Sequence, residues 1–389
     1  MSVTQKSIER LSEWVSFPTV SRESNLALID WAEGVLASCG ARCRRTWNAD
    51  RTKANLLASF GPSTEGGVVL SGHTDVVPTD GQDWSTNPFV LTEADGRLYG
   101  RGSADMKGFL AVCMACLETA DLDALTAPIH LAMSYDEEVG CIGVDGLIED
   151  LVDHVGRPER VVIGEPTSMQ VVRAHKSINV FKTTVVGQAA HSSQPHRGGG
   201  AIFAASRMIE KLYQLGEQKR AQGSDSGAEP PYTTVQVGLI DGGTAVNILP
   251  AKCQFQWEYR ALPDEDPDEI IDALSDWVET HALPDLRRHA PHASIVTEAI
   301  ARVPPLVAST ESGIEPWIRG LPGVAPGGSG EVAFATEGGN FKRAALPAIV
   351  CGPGSIDQAH QADEFIEIAQ LEQCVEMVQA IISDQSAKR

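Results

Sequence analysis

The chain has no stretch of 18 or more apolar residues, the length a helix needs to cross a bilayer, so no membrane span is expected. Its opening segment, MSVTQKSIERLSEWVSFPTV, lacks a basic stretch followed by an apolar run. It reads as an amphipathic helix and not as a signal peptide, and a cytoplasmic location is expected. Basic residues are in deficit, 31 Lys and Arg against 52 Asp and Glu, for a formal net charge of -21. Phosphate backbones and anionic membranes repel such a chain, which excludes nucleic acid and lipid surfaces as natural partners. The 8 cysteines are scattered, and the single C-x-x-C, Cys113 and Cys116, has no second pair at zinc-finger spacing. Both lie in MKGFLAVCMACLETA, whose apolar residues recur at helical spacing, so they read as packed core thiols. The G-x-G of YGRGSAD lacks the third glycine of a dinucleotide fingerprint.

With 389 residues, of which 42% are apolar, the chain suits two domains with sizeable cores. Four apolar runs end in polar residues: VVLSGHTDVVP (68–78), IHLAMSYDEEVG (129–140), RVVIGEP (160–166) and LPAIVCGPGS (346–355). Helix-length patterns lie between them, which predicts an α/β domain with a mainly parallel, mixed sheet. The middle of the chain differs. Strands over 178–187, 232–240, 252–260 and 293–300, with helices over 201–215 and 266–282, follow the order β-α-β-β-α-β of a ferredoxin-like α+β sandwich. The expected division is residues 1–177 and 301–389 for the larger domain and 178–300 for an inserted one.

Open α/β sheets bind ligands beyond the carboxyl ends of their strands. The residues there are His73 and Asp75, Glu137 and Glu138, and Glu165, joined by Asp105 in GRGSADMKG and His360 in QAHQADE. Imidazole and carboxylate without thiolate suit a catalytic metal site with an open position for water. Asp105, Glu138 and Glu165 with a hydroxide would balance two divalent ions, and clustered buried carboxylates need such a cation. Asp75, two residues after His73 on a strand, faces the same way and is placed to hold its ring. Of the adjacent Glu137 and Glu138, one can bind metal while the other acts as general base.

In order along the chain, GHTDVVP, GRGSADMKG, DEEVG, IGEPT and the late PGS-x-x-x-AH segment resemble the di-zinc aminoacylase and carboxypeptidase family, over residues 73 to 360. That resemblance implies a zinc-peptidase-like catalytic domain, an inserted dimerisation (lid) domain and metal-dependent hydrolysis of an N-acyl amide on a small amino acid. It implies that Asp105 bridges two metal ions, with His73 and Glu165 completing one site and Glu138 and His360 the other. The ions would be zinc, with cobalt or manganese also compatible with these ligands. Asp75 would support His73, Glu137 would be the general base, and the Asp105–Met106 peptide would be cis. The segment VVGQAAHSSQPHRGGGAI resembles the family's stretch whose histidine, here His191, enters the partner subunit's active site in a homodimer. Asn247 and Arg260 resemble the binders of the substrate carboxylate. The Thr336–Glu337 pair resembles a deacetylase branch, with Glu337 facing the cationic end of a substrate.

Overall fold

The computed structural model describes residues 1–328 and 330–386 and divides into two compact units. The larger comprises Met1–Ala174, Leu306–Glu331 and Thr336–Arg389; the smaller comprises His175–Pro305 and Val332–Ala335. The short return segment of the smaller unit had no counterpart in the sequence reading. It meets the end of a strand there, where the Arg260 guanidinium donates to the Ala333 carbonyl.

The larger unit begins with helices α1 (Val3–Ser16) and α2 (Leu26–Ser38). The Ser2 hydroxyl accepts from the Gln5 amide at 3.1 Å and caps the first of them. Strands β1 (Arg42–Trp47), β2 (Ala54–Phe60), β3 (Val68–His73), β4 (Ile129–Ser134) and β5 (Arg160–Ile163) follow, with α3 (Gly108–Thr119) after β3 and α4 (Val144–His154) after β4. With a last strand, Ala348–Val350, they form a sheet of order β1-β2-β4-β3-β5-(348–350). β3 pairs in parallel with β4 and β5, the last strand pairs in parallel with β5, and β1 and β2 add an antiparallel edge.

Every residue of β2, β3 and β4 is buried, as expected for strands covered on both faces. Leu56, Ala58, Leu70 and Leu131 pack into one core with α1, α3 and the helix Ile368–Asp384. Alternate residues such as Leu57 and His130 face the other side, where α4 packs. Cys113 and Cys116 are buried thiols in α3, and burial pushes Cys116 up to about 12. No helix among the described residues is long and apolar enough to cross a membrane.

The smaller unit runs β6 (Ile178–Val186), α5 (Ala201–Gln222), β7 (Thr234–Gly242), β8 (Lys252–Arg260), α6 (Glu269–Trp277) and β9 (Ser294–Val303). Its sheet, fully antiparallel, has the order β7-β8-β6-β9 of a ferredoxin-like sandwich. Phe181, Trp257 and Tyr259 stack in its core, and the Trp257 indole donates to the Thr183 hydroxyl at 3.0 Å. Helix α5 continues to Gln222, beyond the expected end at 215. Lys219 anchors the extra turns by donating to Glu269 at 2.6 Å, and the helix stops where Gly223 takes a positive φ of 59°.

Gly164 sets the exit of β5 toward Glu165. A Cβ there would stand 2.0 Å from the Phe109 ring of α3. Gly164→Ala is therefore expected to destabilise the larger unit by about 1–3 kcal/mol, read as a lower denaturant midpoint with unchanged slope.

Candidate metal centre

Three strands of the larger sheet deliver acidic or imidazole groups at their carboxyl ends. His73 is the last residue of β3, Glu165 follows β5 by two positions, and Glu137 and Glu138 follow β4. Asp105 reaches the same place from a kinked turn, Ser103–Lys107, whose Asp105–Met106 peptide is cis. His360, on a later loop, closes the group with a positive φ of 65°.

Asp105 lies between the two imidazoles. One carboxylate oxygen is 3.0 Å from His73 Nε2, and the other is 3.5 Å from His360 Nε2. His360 Nε2 is also 2.9 Å from Glu138 Oε2, and His73 Nε2 is 3.9 Å from Glu165 Oε1. Ligand atoms of His73, Glu137 and Glu165 lie within 4.8 Å of one another, as do those of His73, Asp105 and Glu138. Asp105, with one oxygen toward each imidazole, is the group placed to face two adjacent cations held by nitrogen and oxygen.

The electrostatics ask for cations. Burial, reinforced by neighbouring carboxylates, pushes Glu137 and Glu165 well above the usual range and Glu138 up to about 7. Asp105 shows the opposite outcome. Burial would raise it, yet hydrogen bonds from His360 and His73 hold it below the usual range. Hydrogen bonds to Asp105 and Glu138 push His360 up to about 10. Protein groups alone thus leave several carboxylates in protonated form, whereas divalent ions would favour their charged, ligating state.

Asp75 meets the His73 ring chiefly through its main chain. The His73 Nδ1 meets the main-chain carbonyl of Asp75 at 2.9 Å, while the nearer carboxylate oxygen stands 3.7 Å away. That carboxylate accepts instead from the Ser21 hydroxyl at 2.7 Å and from the amides of Glu137 and Glu138 at 3.1 and 3.4 Å. Asp75 therefore orients the Glu137–Glu138 turn as much as the imidazole, because the chain bends after β3 and brings the carbonyl to the ring.

Glu337 is 1% exposed, and burial, partly offset by the Ser134 hydroxyl, pushes it up to about 7. In this conformation Glu337 lies close enough for its carboxylate to raise Glu137 and Cys141. His191, Asn247 and Arg260 belong to the smaller unit. There the Ser192 amide donates to the Asn247 carbonyl at 3.0 Å, placing Asn247 beside the His191 loop, and Arg260 ends β8 with Nε 3.6 Å from Glu258.

Several supporting residues had escaped the sequence reading. The Glu364 carboxylate, 1% exposed, accepts from Arg101 at 2.8 Å and from the amides of Gly102, Ala104 and Asp105 at 2.9 to 3.0 Å. It ties down the loop that carries Asp105. Asp136 takes two hydrogen bonds from the Lys53 ammonium at 2.6 and 2.7 Å, fixing the turn before Glu137. The Cys141 thiol donates to Glu137 Oε1 at 3.3 Å. The DEEVGC and HQADE strings were visible, but their partners lie far away in sequence, so no local spacing announced them.

Comparison with known proteins agrees with this geometry. The model of peptidase family M20/M25/M40 matches residues 69–384. The chain is 35% identical over 374 residues to an acetylornithine deacetylase of Myxococcus xanthus, covering 94% of this chain and 93% of that protein. It is 34% identical over 384 residues to one of Proteus mirabilis, covering 97% and 96%. Among solved structures, a dinuclear metal-binding peptidase of the M20 family from Bacillus subtilis superposes with a TM-score of 0.66 at 13% identity, covering 98% of each chain. On the extent of the family match and of the curated relatives' identity, the chain belongs to peptidase family M20/M25/M40.

Proposed function

We propose that this chain is a metal-dependent amidohydrolase that converts N2-acetyl-L-ornithine to L-ornithine and acetate, a step in arginine biosynthesis. The observation that carries the reaction class is the Asp105 carboxylate set between His73 and His360, with buried Glu137 alongside. The substrate rests on the similarity to acetylornithine deacetylases along nearly the whole chain.

Asp105, His73 and Glu165 would hold one divalent ion, and Asp105, Glu138 and His360 the other, zinc being the ion these ligands suit best. When bound, such ions lower the pKa of water toward neutrality and polarise an acyl carbonyl. Glu137 takes the proton from the attacking water and returns it to the departing amine nitrogen. Asp75, gripping the amides of Glu137 and Glu138, keeps base and ligand in register. His191 stabilises the developing oxyanion from the partner subunit, and Asn247 and Arg260 bind the substrate carboxylate, a task that suits the guanidinium fork.

The homodimer forms through the smaller unit. Its edge strands β7 and β9 expose Leu239 (62%), Ile240 (57%), Val296 (49%) and Ile300 (42%), apolar side chains on strand edges that pairing would cover. Wild-type protein should sediment as twice the 41.6 kDa chain, and Leu239→Lys combined with Val296→Lys as single chains. A wild type that sediments as single chains would remove the dimer.

Hydrolysis of N-acetyl-L-ornithine should be fast and chelator-sensitive, and faster than that of N-acetylcitrulline, N-succinyl-diaminopimelate or dipeptides. Preference for another member of that panel would keep the mechanism and replace the substrate. Glu137→Gln should lower kcat by about 10²–10⁴-fold while bound metal is unchanged; near-normal turnover would exclude Glu137 as the base.

Metal affinity should fall with pH. The metal-free site holds protons on His360, raised to about 10, on His73, raised above its usual value, and on Glu138, raised to about 7. Each must leave as a cation binds, so lowering pH favours the protonated, metal-free form. Zinc affinity by chelator competition should drop about tenfold per pH unit for each proton displaced between pH 8 and 6. A flat profile would contradict this assignment.

A further inference from the structure

At the opposite end of the larger sheet, a cavity of about 260 Å³ is lined by Arg42, Arg44, Ser59, Ser63, Thr64 and His130, among others. Arg42, Ser59 and His130 occupy one cross-strand row: Arg42 faces Ser59 across β1 and β2, and Ser59 faces His130 across β2 and β4. Directly paired residues project from the same face. His130 is the second residue of β4, so about four residues, or roughly 13 Å of strand, separate it from the end that leads into Glu137 and Glu138.

The polar groups here are incompletely used. The His130 ring is 1% exposed, its Nδ1 lies 2.8 Å from the Ser59 hydroxyl, and its Nε2 is buried without a hydrogen-bond partner. Burial and the Arg42 charge hold His130 down at about 4, so the ring is neutral at pH 7 and one nitrogen carries a hydrogen. In the tautomer in which the Ser59 hydroxyl donates to Nδ1, Nε2 carries the hydrogen as a free donor. The Arg42 guanidinium spends one N–H on the Gly61 carbonyl, at 2.8 Å, and makes no ion pair among the described residues. Arg44 is already neutralised by Asp150 at 2.6 Å, and its Nη2 lies 2.8 Å from His154 Nε2. The local balance is thus one surplus positive charge in a chain of net charge -21. The volume lies just below the range usual for drug-sized ligands, which limits the occupant to a small one.

We propose that this cavity is a binding site for a small oxyanion, a phosphate or a short carboxylate, held by the Arg42 guanidinium with His130 and Ser59. It is separate from the metal centre and does not depend on the reaction assigned to it. A bound anion accepts from the unused Arg42 N–H groups, supplies the missing partner for His130 Nε2 and cancels the surplus charge.

The test is titration of the metal-loaded, full-length protein with inorganic phosphate and, separately, with acetate, following the imidazole nitrogen resonances. His130→Gln assigns the His130 signals. A saturable shift of His130 at millimolar anion, weakened about tenfold or more in Arg42→Gln through loss of charge-assisted hydrogen bonds, is the expected result. Hydrolysis measured without added anion should be the same in Arg42→Gln as in wild type. The anion that binds more tightly identifies the ligand class. Anions at the metals would move His73 and His360 and leave Arg42→Gln binding like wild type. That pattern, or an unmoved His130 with both anions, overturns the proposal.

Discussion

Mutual repulsion among buried carboxylates is the constraint on which the larger unit is organised. Asp105, Glu137, Glu138 and Glu165 converge at the ends of β3, β4 and β5 or against them, where burial makes each charge costly. Two imidazoles offset part of that cost, since His73 and His360 flank Asp105 and hold its carboxyl below the ordinary range. The rest calls for divalent cations, whose charge turns the same cluster from a liability into a ligand set. The sheet makes the convergence possible: three parallel strands end side by side, and their fully buried bodies fix where the polar ends emerge.

Around the cluster, backbone amides and distant side chains hold its loops in place. Glu364 gathers three amides and the Arg101 guanidinium on one carboxylate, so the segment that carries Asp105 is tied to the loop that carries His360. Asp75 and Asp136 do the same for the turn after β4, one through the amides of Glu137 and Glu138 and the other through Lys53. Holding ligands through hydrogen bonds of this kind is what keeps a metal site in its geometry before the metal arrives.

Much of this was legible in the sequence. Apolar runs ending in His73, Ser134 and Ile163 mark strands, and a strand's polar end in an α/β sheet marks a ligand site. The alternating Cys253, Phe255, Trp257 and Tyr259 mark a half-buried strand, and the smaller unit shows that pattern with all four side chains inside. What remained hidden depends on contacts between distant positions. Glu364 resembles any loop carboxylate until Arg101 is seen beside it. The burial of Glu337 likewise depends on contacts that no local string announces. The last turns of α5 fell outside the expected helix because the ion pair between Lys219 and Glu269 joins elements separated by two strands. The unused polar row of Arg42, Ser59 and His130 was likewise invisible, since only strand register sets those residues side by side.

The central claim is that this carboxylate cluster is held by two divalent cations sharing Asp105. Its most direct test is metal content per chain after dialysis against metal-free buffer, measured for wild type and Asp105→Asn. The account predicts two equivalents in the wild type and loss of both in the variant. One equivalent or none in the wild type, or two retained in Asp105→Asn, would contradict it.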